Sequence, residues 1–255
     1  MKILLTNDDG IHAKGLAELK NCLQKFGEVL VVAPDRDRSG AGPSTTFYKT
    51  VSCKEVWSKE EFFGYSVSGT PVDCVIIGID KLCVDFKPDL IVSGINAGAN
   101  LGQDIFYSGT VGAAIEGFFQ DIFSIAISIN KKEKPNYDTA IKVIDKIMST
   151  LPTGVFKKQH LLNINIPNVE YHSIKRVILT KLAQVFHQKN IKEIYQAGRT
   201  KYFWIAGSQP EGFAEEGSDY WAVCNNFVSI TDIAPRLRKK NTQYDLKEWI
   251  ECINF

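Results

Sequence analysis

Apolar positions along the first two-thirds of this chain fall into blocks that alternate between continuous runs and helical spacing. Residues 3–6 form a short apolar run that stops at Asn7-Asp8-Asp9-Gly10, which reads as a buried strand ending in a polar turn. Leu16, Leu19, Leu23 and Phe26 then recur at helical intervals before Gly27. Residues 29–33 predict a second strand, stopped by Pro34. Thr70-Pro71 places a hydroxyl and a proline where a helix begins, with Val72, Val75, Ile76 and Ile79 as its buried face. Residues 90–92 predict a strand running into Ser93-Gly94-Ile95-Asn96, and Val111, Ala114, Ile115, Phe118 and Phe119 mark the next helix. A strand at 122–129, a helix marked by Tyr137, Ile141, Ile144 and Met148, and a strand at 161–166 complete the series.

The strands are near-continuous apolar runs, as strands are when helices cover both faces of their sheet. Alternation of such strands with helices predicts a Rossmann-like three-layer α/β/α sandwich with a mainly parallel sheet. Residues 47–69 read as short strands with turns. From about residue 174 the chain carries more aromatic residues and short β-like segments, including 201–206 and 220–231. These predict projecting C-terminal β segments and an arm that serve oligomer contacts. The expectation is one domain over 1–255, with a core at about 1–173 and oligomerisation strands at about 174–255.

Composition narrows the function classes. The 255 residues are 44% apolar and 23% charged, with a net charge of +1, so the basic footprint of a nucleic-acid-polymer binder is missing. The apolar stretch near 122–129 is too short to span a bilayer. Met1-Lys2 leads through three apolar residues into Asp8 and Asp9, which fits no secretory signal. Six cysteines (22, 53, 74, 83, 224 and 252) are scattered without a C-x-x-C pair, as expected of reduced thiols in a cytoplasmic protein. No membrane partner is expected.

Three polar loops, at residues 7–10, 35–42 and 93–110, fall after strands, where open α/β sheets bind ligands. Adjacent carboxylates at Asp8 and Asp9 repel unless a cation or hydrogen-bond donors compensate. A hard divalent ion, Mg²⁺ or Mn²⁺, takes oxygen ligands, and Ser39 and Asn96 can add neutral oxygens. Read alone, the pair is equally compatible with one Asp capping the next helix and the other facing solvent. Ser108-Gly109-Thr110-Val111-Gly112 opens a helix and so offers N–H groups to a phosphate, or forms a plain N-cap. Gly94, Gly98 and Gly102 recur every fourth residue around Asn96 and Asn100; neither a dinucleotide fingerprint nor a P-loop is present, and the asparagines can serve simply to satisfy the loop backbone. Of the histidines at 12, 160, 172 and 187, only His12 lies near these loops, on their rim. No G-x-S-x-G elbow occurs, and Tyr202-Phe203-Trp204 reads as core or interface.

With these segments in view, the sequence resembles the SurE family, stationary-phase survival proteins that act as 5′/3′-nucleotidases. The resemblance is carried by ILLTNDDGIHAKGL (3–16), VVAPDRDRSGAG (31–42), VSGTPVDCV (67–75), DLIVSGINAGANLGQDIFYSGTVGAAIEG (89–117), LLNINIP (161–167), GSDYWAV (217–223) and FVSIT (227–231). It implies a Rossmann-like fold with one divalent ion held by Asp8, Asp9, Ser39 and Asn96. It further implies a phosphate site lined by Gly40, Asn100, Ser108, Gly109 and Thr110, with Ser39 at its edge. The implied substrates are nucleoside monophosphates, with short polyphosphate in some members, and the implied assembly is a homodimer or homotetramer built through projecting C-terminal segments. Where the family carries Thr-Arg-x-Gly this chain has Thr180-Lys181-Leu182-Ala183, and 184–200 matches poorly; the departure bears on the implied substrate preference and oligomer form and not on the metal site.

The expected mechanism uses Asp8, Asp9 and Asn96 around the ion, with Asp8 or Asp9 acting on the attacking water. Two rivals accompany it. One makes Asp8 a nucleophile that forms an aspartyl-phosphate, although phosphatases of that kind place their aspartates at alternate positions. The other is a nucleotide sensor that binds in the same crevice without releasing phosphate.

Overall fold

The computed structural model describes residues 1–83, 87–130, 134–152, 154, 159–197 and 199–233, with backbone alone at 185–190, 197 and 206–213. In chain order the elements are β1 (Lys2–Thr6), α1 (Lys14–Leu23), β2 (Glu28–Pro34), β3 (Cys53–Ser58), β4 (Glu61–Val67), α2 (Pro71–Ile77), β5 (Leu90–Asn96) and α3 (Gly109–Phe119). They continue with β6 (Phe123–Asn130), α4 (Tyr137–Ser149), β7 (Leu161–Pro167), β8 (Val177–Leu179), β9 (Gln184–Ala197), β10 (Thr200–Phe213), α5 (Asp219–Cys224) and β11 (Val228–Asp232).

Among the described residues nine strands form the main sheet, in the order β3-β4-β2-β1-β5-β6-β7-β11-β8. The central strands β2, β1, β5, β6 and β7 pair in parallel. Within this sheet, among the described residues, antiparallel pairing is confined to β3 with β4 and to β7 with β11. The fold is the Rossmann-like α/β architecture the apolar runs predict. Because the period along a strand is two residues, β1 sends Ile3 and Leu5 into the layer of α1 and α4, and Leu4 into the opposite layer with Cys74 and Val75 of α2 and Ala113 of α3. Both faces are thereby sealed.

The strand order reverses on either side of β1, with β2 to one flank and β5 to the other. At such a switch point the two connecting loops leave in opposite directions and open a crevice at the carboxyl ends of the strands. The loops after β1, β2 and β5 all arrive there.

The C-terminal third does two things. β11 and β8 extend the main sheet beside β7, while β9 and β10 form a separate antiparallel hairpin. Residues 201–206 lie in β10 as expected, but 220–224 are helical rather than β-like. The reason is local: Ser218 caps α5 by accepting from the Trp221 N–H (3.3 Å), a start signal that outweighs the β-preference of Tyr220 and Trp221. α1 likewise ends at Leu23, one turn before Phe26, as the chain turns to lay β2 against β1.

Candidate active site

The turn after β1 is built by its own side chain. Asn7 accepts from the Gly10 N–H (3.2 Å) and donates to the Gly10 carbonyl (3.0 Å), closing the chain on itself. Gly10 takes φ of +98°, and a Cβ there would lie 3.0 Å from the backbone of Arg36, so glycine lets the first two loops touch. They are further tied by Ile11 N–H to the Pro34 carbonyl (2.8 Å) and Arg38 N–H to the Asp8 carbonyl (2.7 Å).

Asp8 is 3% exposed. Thr110, at the first turn of α3, donates its hydroxyl to one carboxylate oxygen of Asp8 and its N–H to the other (3.2 Å). Burial pushes the Asp8 carboxyl above its usual value; the Thr110 donors oppose that, and the Asp37 charge adds to it. Gly109 permits the approach, since a Cβ there would sit 2.9 Å from the Asp8 Cβ and 3.1 Å from Pro71. Asp9 is the more exposed of the pair.

Ser39 stands on the loop after β2, where its N–H and hydroxyl both donate to Asp37 (2.7 and 2.5 Å). Those donors hold the Asp37 carboxyl below its usual range. Asn96, the last residue of β5, donates its amide to the Gly98 carbonyl (2.7 Å), which leaves its side-chain oxygen as the atom able to ligate a cation.

These residues meet in one cavity of about 310 Å³, lined by Asp8, Asp9, Ser39, Gly40, Asn96, Asn100 and Ser108 together with Ala97, Ala99, Asp104 and Tyr107. Seven of the nine sequence candidates are therefore in one place. The other two, Gly109 and Thr110, do not line it: Gly109 packs beneath Asp8, and Thr110 directs its donors to that carboxylate. His12 is exposed and outside the lining. As a donor set the cavity offers carboxylate, hydroxyl and amide oxygens, which fits a hard divalent ion. No cluster of three or more His, Cys, Asp or Glu able to hold a metal occurs among the described residues, so an ion there would depend on neutral oxygens and water beside the Asp8-Asp9 pair.

Asp104, Tyr107 and the anchors of the glycine-rich loop were missed from sequence. Asn100 donates its amide to Ser128 (2.7 Å), and its backbone N–H goes to Asn165 (2.8 Å). Its carbonyl accepts from both Asn163 (2.8 Å) and Asn165 (3.0 Å). The available signal was two asparagines at alternate positions in an otherwise apolar β7 strand, where an unpartnered amide would be costly.

The geometry has counterparts of known family. A family model described as survival protein SurE matches residues 3–189. This chain belongs to the SurE family. It is 38% identical over 251 residues to the 5′-nucleotidase SurE of Petrotoga mobilis, spanning 98% of this chain and 100% of that one. It is 39% identical over 231 residues to the 5′-nucleotidase SurE of Aquifex aeolicus, spanning 90% of each. The crystal structure of the SurE protein from Aquifex aeolicus superposes with a TM-score of 0.78 at 38% identity, covering 93% of this chain and 94% of that one. The SurE match begins at Ile3 and takes in every residue of the cavity, so the site lies within the part of the chain the family shares.

Proposed function

We propose that this chain is a metal-dependent phosphatase that hydrolyses nucleoside 5′-monophosphates to nucleoside and phosphate, with 3′-monophosphates and short polyphosphate as further substrates. The observation that carries the reading is the convergence of Asp8, Asp9, Ser39 and Asn96 on one cavity at the sheet's switch point, in a chain whose near-full-length relatives are 5′-nucleotidases. The chemistry that Mg²⁺ or Mn²⁺ supplies when bound is polarisation of a phosphoryl oxygen and acidification of water.

The chain's residues divide the remaining work. Asp8, held rigid by Thr110, provides a fixed carboxylate. Asp9, the more exposed partner, orients the attacking water and takes its proton. At the head of α3 the Val111 N–H is committed to Ser108 (3.1 Å) and the Thr110 N–H to Asp8. A phosphoryl oxygen in the cavity would meet Ser108 at the head of α3, with Asn100 alongside. The same geometry disfavours an aspartyl-phosphate on Asp8, because that carboxylate is buried and both its oxygens already accept from Thr110.

The arm supports self-association into a homodimer or homotetramer. Ile191, Tyr195, Phe203, Trp204 and Ile205 are each more than half exposed on the hairpin, and apolar surface of that kind marks an interaction site. A cytoplasmic location agrees with the unpaired Cys22, Cys53, Cys74, Cys83 and Cys224, and among the described residues no helix is long and apolar enough to cross a membrane.

The test is phosphate release from a panel of nucleoside 5′- and 3′-monophosphates and polyphosphate, with Mg²⁺, with Mn²⁺ and with chelator. Release that requires the ion and is lost in Asp9→Asn supports the reading. Nucleotide binding without release would establish the sensor instead.

A further inference from the structure

Asp219 opens α5, 117 residues beyond Gly102 in sequence, and is fully buried. One of its carboxylate oxygens accepts from the Gly102 N–H (2.9 Å). The other accepts from the N–H of Ala183 (2.8 Å) and of Tyr220 (2.8 Å). Its own N–H donates to the Lys181 carbonyl (2.9 Å), and the Lys181 N–H donates to Gly217 (3.1 Å). The three segments joined in this way differ in role. Gly102 begins the 3-10 turn Gly102–Phe106, two residues after Asn100, and the turn brings Asp104 and Tyr107 into the cavity wall. Ala183 immediately precedes Gln184, where the β9–β10 hairpin starts. α5 lies between them.

Burial favours the neutral form of this carboxyl, and the N–H donors on Gly102, Ala183 and Tyr220 oppose it. Helix capping does not explain the arrangement, because Ser218 already caps α5. A buried carboxylate costs free energy unless its acceptors are filled, and filling them here requires the cavity loop and the hairpin root to be held together.

We propose that Asp219 is a positioning residue that locks the cavity wall at residues 100–107 to the root of the hairpin arm, so that turnover depends on a contact outside the cavity. This rests on the phosphatase reading for its activity readout, but the lock itself is measured independently. The carboxamide in Asp219→Asn has a single acceptor oxygen, which stays with the two donors of Ala183 and Tyr220. Its NH₂ then faces the Gly102 N–H, and only the bond to the cavity loop is lost.

The experiment compares wild type and Asp219→Asn in three measurements. These are steady-state kinetics on a nucleoside monophosphate and on p-nitrophenyl phosphate with Mn²⁺, amide hydrogen exchange of residues 98–107, and thermal melting. The expected result is kcat about tenfold lower on both substrates, KM changed by less than about threefold, and exchange at Gly102 faster by about tenfold or more, in a variant that melts cooperatively. Wild-type kcat with unchanged exchange at Gly102 would overturn the proposal. So would a loss confined to melting temperature, which marks a purely structural residue. Absence of phosphate release by the wild type itself would instead defeat the phosphatase reading, with the exchange result still deciding the lock. Should Asp219→Asn not fold, Ala183→Pro removes one donor from the other oxygen and leaves the carboxylate in place. Faster exchange at residues 102–107 is expected there, and unchanged exchange overturns the proposal.

Discussion

Thr110 gives both its hydroxyl and its backbone N–H to the carboxylate of Asp8, from 102 residues away in sequence. The Asp8 carboxylate is thereby fixed in orientation, which for the proposed metal ion removes a reorganisation cost from binding. Thr110→Val keeps the shape and the N–H but deletes the hydroxyl donor. Losing a hydrogen bond to a charged group costs about 1.5–3 kcal/mol. Mn²⁺ affinity or kcat/KM is therefore expected to fall by about ten- to a hundredfold, with Thr110→Ser close to wild type; titration calorimetry and kinetics check both.

Gly109 lies where any Cβ would press on Asp8 and Pro71. Overpacking of this kind costs about 1–3 kcal/mol, and here the strain falls on Asp8, a proposed metal ligand. Gly109→Ala is expected to lower stability to chemical denaturation and to lose more activity than its stability loss explains.

The proposed metal site carries a pH dependence that follows from Asp8. Its native carboxyl is raised above the usual value by burial, so it favours the native state below the unfolded pKa and that contribution is lost as pH rises through the native one. A divalent cation offsets the buried negative charge that then appears. The rise in melting temperature produced by Mn²⁺ is expected to be larger at neutral pH than at pH near 4, and to shrink at neutral pH in Asp8→Asn. Differential scanning fluorimetry across that range reads the effect.

Asn165 both accepts from and donates to the Asn100 backbone. Asn165→Ala leaves the buried Asn100 N–H unpaired while its carbonyl keeps Asn163, at a cost of about 1–3 kcal/mol. The midpoint of urea unfolding is expected to drop, with KM for substrate rising because the loop bearing Asn96 and Asn100 loses its anchor.

The cysteines provide a test of packing. Cys53 and Cys224 are exposed, while Cys22, Cys74 and Cys83 are buried. Burial pushes the Cys22 and Cys83 thiols up to about 11, so each favours the native state below its ordinary value and loses that contribution as pH rises toward 11. Native alkylation is expected at Cys53 and Cys224 only among these five, with the rest reacting on unfolding, as peptide mass mapping would show.

Much of the fold was legible because periodicity is a local property. Leu16, Leu19 and Leu23 face the core as their spacing predicts, and Thr70-Pro71 begins α2 with a complete capping box to Asp73. The short aromatic sequence of α5 suits a strand, and it is the Ser218 cap that makes it helical. Ser108, read as anion site or plain cap, does cap α3 while also lining the cavity.

The chain's sequence alone determined the order of strands and helices, the polar loops that end the strands, and the candidate oxygens on them, since each depends on residues a few positions apart. Only the tertiary structure decided which of those oxygens meet and which already accept hydrogen bonds. The strand order put β2 and β5 on opposite sides of β1, and that brought Asp9, Ser39 and Asn96 to one cavity. Long-range donors then separated residues that look alike in sequence: Asp8 is buried under Thr110 while Asp9 is the more exposed neighbour, and Asn100 is held by Asn163 and Asn165. The physical reason is that a buried polar group must be paired, and its partner is whichever donor the folded chain brings within 3 Å, a choice that no local pattern records.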